Sequence, residues 1–156
     1  MRVVFGIFPL LSIPIIIYNL LAFAFRPPSA TDIEAGTAGA LDMTESLASP
    51  LATVNMVADD AVWAITSGDV LLLIGLALLF IEIIKSTSTG AATIFNHAVS
   101  MILFIIALVE FLLFKNFATS IFFILTMMCL LDVLAGVVVT IVSARRDFGV
   151  GEGFGG

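Results

Sequence analysis

One cysteine and one histidine in 156 residues leave little room for metal, disulfide or redox chemistry. The cysteine, Cys129, has no partner in the chain for a disulfide. It lies in an apolar run, where a thiol is inert by default. No C-x-x-C pair and no His/Cys cluster has metal-ligand spacing, so neither a metal site nor a cofactor motif is expected. Charge is equally scarce. Only 12% of residues are Asp, Glu, Lys or Arg, about half the roughly 25% of a soluble domain. That is too little polar surface to cover a water-soluble globule. Six basic residues against twelve acidic ones, a net charge of −6, argue against nucleic acid as a partner.

What is abundant is long apolar sequence. Hydrophobic residues make up 61% of the chain, above the roughly 45–50% of soluble proteins. Four stretches are long enough to cross a ~30 Å hydrocarbon core as helices: about 3–25, 67–85, 91–114 and 117–144. The expected fold is an all-α membrane protein, an antiparallel four-helix transmembrane bundle, with a short extracytoplasmic β-hairpin. Residues 1–148 form one transmembrane domain with a loop at 26–66, and residues 149–156 form a flexible Gly-rich tail. The first run superficially resembles a signal peptide, with Arg2 before it and Ala22-Phe23-Ala24 near its end. It exceeds the usual ~7–15-residue apolar region, so a retained helix is expected.

The basic residues stand at the ends of these runs. With four spans, Arg2, Lys85, Arg145 and Arg146 share one side, and Arg26 and Lys115 the other. The positive-inside rule then puts both termini in the cytoplasm. The segment from Pro27 to Gly68, with six acidic residues and no Lys or Arg, is placed outside.

Punctuation along the chain refines the picture. Pro9 and Pro14 each remove a backbone donor and favour a kink in the first helix. Thr31 to Ser46 reads as an irregular loop with a helical turn or two. Leu51–Val57 and Ala61–Thr66, rich in β-branched residues around Asp59-Asp60, read as a hairpin. The alternative is an amphipathic helix starting at Pro50 with Ser49 as cap and Leu51, Val54, Ala58, Val62 and Ile65 on its apolar face. Trp63 suits an interfacial anchor in either form, as do Lys85, Lys115, Arg145 and Arg146 at the span ends. Thr66-Ser67-Gly68-Asp69 matches a capping box opening the second span, which favours the hairpin. The short turns at Ser86 to Gly90 and Phe114 to Asn116 make the last three helices antiparallel neighbours.

Four intramembrane polar residues stand out: Asp132, Glu110, Glu82 and His97. A charged group at the centre of a membrane helix costs at least ~2.5–3.5 kcal/mol, so each needs a partner or a task. Asp132 shares a helix face with Cys129, Gly136, Thr140 and Ser143, the small-and-polar pattern of a packing seam. Glu82 is one turn from Lys85, and a contact between them is expected; Gly68, Gly75 and Glu82 recur at seven-residue steps. Glu110 is expected to pair with Lys115 or an opposing helix end. His97 lies at about the depth of Glu82, so a Glu82–His97 pair is geometrically open. No catalytic constellation emerges.

Several segments carry a resemblance: Gly68-Asp-Val-Leu-Leu-Leu, Leu79-Phe-Ile-Glu-Ile-Ile-Lys85, Asn96-His-Ala-Val-Ser-Met, Leu108-Val-Glu-Phe-Leu-Leu113, Leu131-Asp-Val-Leu-Ala-Gly136 and Ala144-Arg-Arg-Asp-Phe148. Over its last ninety residues or so the chain resembles a group of small four-helix membrane proteins of alphaproteobacteria, to which no activity is attached. The resemblance implies an inner-membrane location and that Glu82, His97, Glu110, Asp132, Arg145 and Arg146 belong to the group's pattern. It assigns them no roles. The expected function is a non-enzymatic accessory, scaffold or assembly subunit, with the lipid bilayer and another membrane protein or a second copy as partners. The alternative is a small proton- or ion-coupled transporter or channel using the intramembrane carboxylates.

Overall fold

The computed structural model describes residues 8–24, 43–58, 60–86 and 91–150. The chain is mostly helical, with three long apolar helices and one two-stranded antiparallel hairpin. In chain order the elements are α1 (Ser12–Ala24), α2 (Met43–Leu47), β1 (Pro50–Asn55), β2 (Val62–Thr66), α3 (Ser67–Ser86), α4 (Ala91–Leu113), a 3-10 turn (Lys115–Phe117) and α5 (Ser120–Val150). By length and composition α3, α4 and the Ser120–Val142 part of α5 can each cross a membrane. The segments 25–42 and 151–156, which hold the first part of the acidic loop and most of the Gly-rich tail, lie outside the described residues, as do the side chains of Ser143, Arg145 and Arg146.

The first helix departs from expectation. Of the run expected to span over 3–25, the described part is helical only from Ser12. Its 13 described residues cover about 20 Å. Proline chemistry explains the late start. Pro9 accepts from Ser12 N–H at 3.1 Å and Leu10 from Ile13 N–H at 3.1 Å, a tight turn. Pro14 then falls in the first helical turn, where its missing N–H costs nothing.

The hairpin forms in the predicted place, so the amphipathic-helix alternative does not hold. Val54 pairs with Trp63 and Asn55 with Val62, with a register shift between Pro50 and Ala52. Asp60 turns the chain at φ 58°, a left-handed conformation that Asp tolerates better than most residues. The capping box is formed. Asp69 Oδ2 accepts from Thr66 N–H at 2.9 Å, and Thr66 Oγ1 accepts from Asp69 N–H at 3.2 Å. Strand and helix therefore join without a spare residue.

Contacts fix the helix directions. His97 on α4 meets Gly136 on α5, and Phe111 meets Phe123, so these two helices are antiparallel. Gly68 faces Ile121 and Gly75 faces Leu125 and Met128, so α3 runs parallel to α5. α1 crosses in the opposite sense, with Leu10 near Glu82 at one end and Tyr18 near Thr119 at the other. α5 is the hub. Its face of Phe122, Leu125, Thr126, Cys129, Asp132 and Gly136 is buried. The α5 helix also runs past the expected end at Ala144 to Val150, because Ala144-Arg145-Arg146 continue a helix readily.

The core mixes apolar residues such as Leu11, Ile15, Phe122 and Leu125 with polar ones. Glu82, Asn96, Ser100, Thr126 and Asp132 are inside, while Leu73, Leu76, Phe80, Ile102, Ile106 and Val138 face outward.

Candidate functional site

Two polar clusters lie inside this apolar envelope, one at each end of α1. The first sits where α1 begins, α3 ends and α4 starts. Glu82 is 0% exposed. Its Oε2 accepts from Leu10 N–H at 2.9 Å and from Lys85 Nζ at 3.0 Å. Its Oε1 accepts from Asn96 Nδ2 and lies 2.8 Å from Lys85 Nζ. Lys85 also donates to Phe8 O at 2.8 Å and Asn96 Oδ1 at 3.2 Å. The expected Glu82–Lys85 contact is thus one edge of a three-segment clasp. Leu10 N–H is available because the prolines delay α1. Each carboxyl oxygen of Glu82 thus has a hydrogen-bond partner despite its burial.

The second cluster joins α1 to the α4–α5 turn. Tyr18 Oη lies 2.6 Å from Thr119 Oγ1 and donates to Asn116 O at 3.1 Å. Asn19 Nδ2 donates to Glu110 Oε2 at 3.1 Å, and Asn116 Nδ2 to Ala22 O at 2.8 Å. Of the two partners expected for Glu110, it takes the opposing helix and not Lys115: Asn19 of α1 reaches it. Lys115 is exposed in the turn.

Asp132 is 1% exposed and faces α4. Ser100, Glu82, His97 and Lys85 lie within electrostatic reach of its carboxyl. Yet Asp132 Oδ1, Ser100 Oγ and both ring nitrogens of His97 are buried without a hydrogen-bond partner. The ring lies against the α5 backbone at Gly136, where any Cβ would overlap it. The possible Glu82–His97 pair is not made. The neighbouring Asn96 takes that place, and His97 turns to Gly136 instead.

The predicted seam is only partly buried. Cys129, Asp132 and Gly136 are inside, but Thr140 is exposed and its hydroxyl donates to Gly136 O at 2.9 Å. It lies a turn beyond the His97 contact, near the level at which α4 begins. Trp63 is half-exposed on the hairpin, beside a shallow groove of about 310 Å³ reaching Asp69, Leu72 and Met128. Among the described residues no group of three or more His, Cys, Asp or Glu is placed to hold a metal ion.

Sequence reasoning passed over Asn96, Asn19 and Thr119 as site residues. Asn96 carried a signal: it is a rare amide in an apolar helix, and it shares the face of Ser100 and Ala107 at helical spacing. The Leu10 N–H carried none, because backbone donors become free only through the local turn.

Comparison with family models, with curated proteins and with solved structures finds no match for this chain.

Proposed function

We propose that the chain is a polytopic inner-membrane protein, a four-helix bundle with both termini cytoplasmic, acting as a non-enzymatic accessory, scaffold or assembly subunit. The carrying observation is where the polar side chains spend their bonds. Glu82, Lys85, Asn96, Tyr18, Asn19, Glu110 and Asn116 are all engaged in tying α1 to α3, α4 and the α4–α5 turn. The outward apolar faces suit lipid, where such internal bonds replace water. A bundle whose polar groups hold helices together serves well as a platform for another membrane protein. Purification in mild detergent should recover a stoichiometric membrane partner. A strictly monomeric, partner-free protein would count heavily against this reading.

A specific observation favours a second reading, a small proton- or ion-coupled carrier. Asp132, Ser100 and His97 keep buried polar atoms unpaired, and intramembrane acids of this kind mark ion and proton pathways. Liposomes containing the protein should then pass protons or ions, and Asp132→Asn should abolish the flux. Flux that survives the substitution would sink this reading.

A further inference from the structure

We propose that Asp132, Ser100 and His97 form an internal proton-binding site, in which one exchangeable proton is held by the Asp132 carboxyl or the His97 ring beside the Ser100 hydroxyl. The inference holds whether the bundle serves as an accessory subunit or carries protons, because it concerns binding and not flux.

Three features of the geometry converge. The buried polar atoms that lack partners lie on two packed helices, His97 and Ser100 on α4 and Asp132 on α5, with Asp132 and Ser100 each 1% exposed. The His97 ring is seated on Gly136, one helical turn from Asp132 on the same face of α5. A glycine there lets the imidazole approach the carboxyl-bearing turn more closely than any side chain would permit. The third feature is charge. Glu82 and Lys85 neutralise each other at 2.8 Å, which leaves Asp132 as the odd charge. An uncompensated charge in hydrocarbon costs at least ~2.5–3.5 kcal/mol, and one bound proton removes it.

The donor chemistry selects a proton over other cations. A hard metal cation takes roughly six oxygens, whereas this site offers one carboxyl, one hydroxyl and an imidazole. No third metal-ligating side chain joins them among the described residues. An imidazole and a carboxylate suit a proton instead, since each can hold it as an N–H or O–H. Binding forms an O–H bond at Asp132 or an N–H bond at His97, takes its proton from water at the Lys85 end, and lowers the site's negative charge by one. Nothing is oxidised or reduced. The titratable neighbours facing Asp132 are Glu82 and Lys85 from α3, His97 from α4 and Cys129 on α5 itself. α1 meets the cluster through backbone groups of Phe8 and Leu10.

The test is infrared difference spectroscopy of the intact protein in lipid nanodiscs during a pH titration. A carboxylic-acid C=O band should appear on acidification and vanish entirely in Asp132→Asn. It should shift in Ser100→Ala and in His97→Gln, which each remove a neighbour of the carboxyl. Titration with no band assignable to Asp132, or a band unmoved by both neighbouring substitutions, would overturn the proposal. A measurement on the unsubstituted protein guards against misfolded variants. His97 is the only histidine, so nitrogen NMR of labelled imidazole reads it alone. Its ring should change protonation or tautomer in step with the carboxyl band; a ring constant throughout the titration also refutes the site.

Discussion

At the scale of single residues, two of the bundle's packed glycines, Gly68 and Gly136, differ in what they protect. A Cβ at Gly68 would meet chiefly the tip of Ile121, the far end of a flexible side chain, and Leu47 O at 3.1 Å, while one at Gly136 would overlap the His97 ring down to Cγ. Overpacking costs about 1–3 kcal/mol where neighbours cannot yield. Gly136→Ala should therefore fall in that range and Gly68→Ala below it, as read by unfolding in mixed detergent micelles. Equal losses would mean that the His97 ring is not fixed. The clasp has its own asymmetry. Lys85 keeps a side chain 20% exposed, whereas that of Glu82 is 0% exposed. Lys85→Met strands a carboxylate in the interior and should cost about 3 kcal/mol or more. Glu82→Gln leaves a lysine that can reach the interface and keeps an acceptor for Leu10 N–H, so its cost should be clearly smaller. The reverse order would show that the carboxylate is solvated through a route the packing does not provide.

At the scale of elements, α1 is the component that depends on polar contacts. It is held by polar contacts towards both of its described ends, Leu10 to Glu82 and Tyr18 to Thr119. Tyr18→Phe keeps the ring packing against Phe117 and Phe122 but removes the bonds to Thr119 and Asn116. The expected loss is about 0.5–1 kcal/mol, together with faster hydrogen exchange along α1 and little change in α3 or α5. Exchange that rises uniformly across all helices would mean that α1 is not a separable unit. The elements themselves were largely readable from sequence. Thr66 and Asp69 announced the start of α3, and the β-branched runs around Asp59-Asp60 announced the hairpin. The start of α1 was not readable, since an apolar run with two prolines is compatible with either a kinked long helix or a turn followed by a short one.

At the scale of the whole molecule, alternating helix directions combine with basic residues at span ends to predict an orientation. Val57, at the exposed tip of the hairpin, should face outward. With Val57→Cys, a membrane-impermeant maleimide should label intact cells, and the buried Cys129 should stay silent in the unsubstituted protein. A cysteine appended at the C-terminus should react only after permeabilisation. The opposite pattern would invert the topology and overturn the cytoplasmic assignment of both termini.

Sequence alone determined the class of the molecule, because apolar run length and scarce charge are properties of the chain that no packing alters. It also marked Glu82, His97, Glu110 and Asp132 as residues in need of partners, for the same reason: an ionisable group in an apolar run is costly wherever it points. Which partners they have was decided by tertiary structure. Beyond the Glu82–Lys85 contact within α3, helices separated by a turn or a loop bring Leu10 and Asn96 to Glu82, Asn19 to Glu110, and Ser100 and His97 to the face of Asp132. These pairings depend on helix rotation and depth, which a few residues' shift in where α1 begins is enough to change.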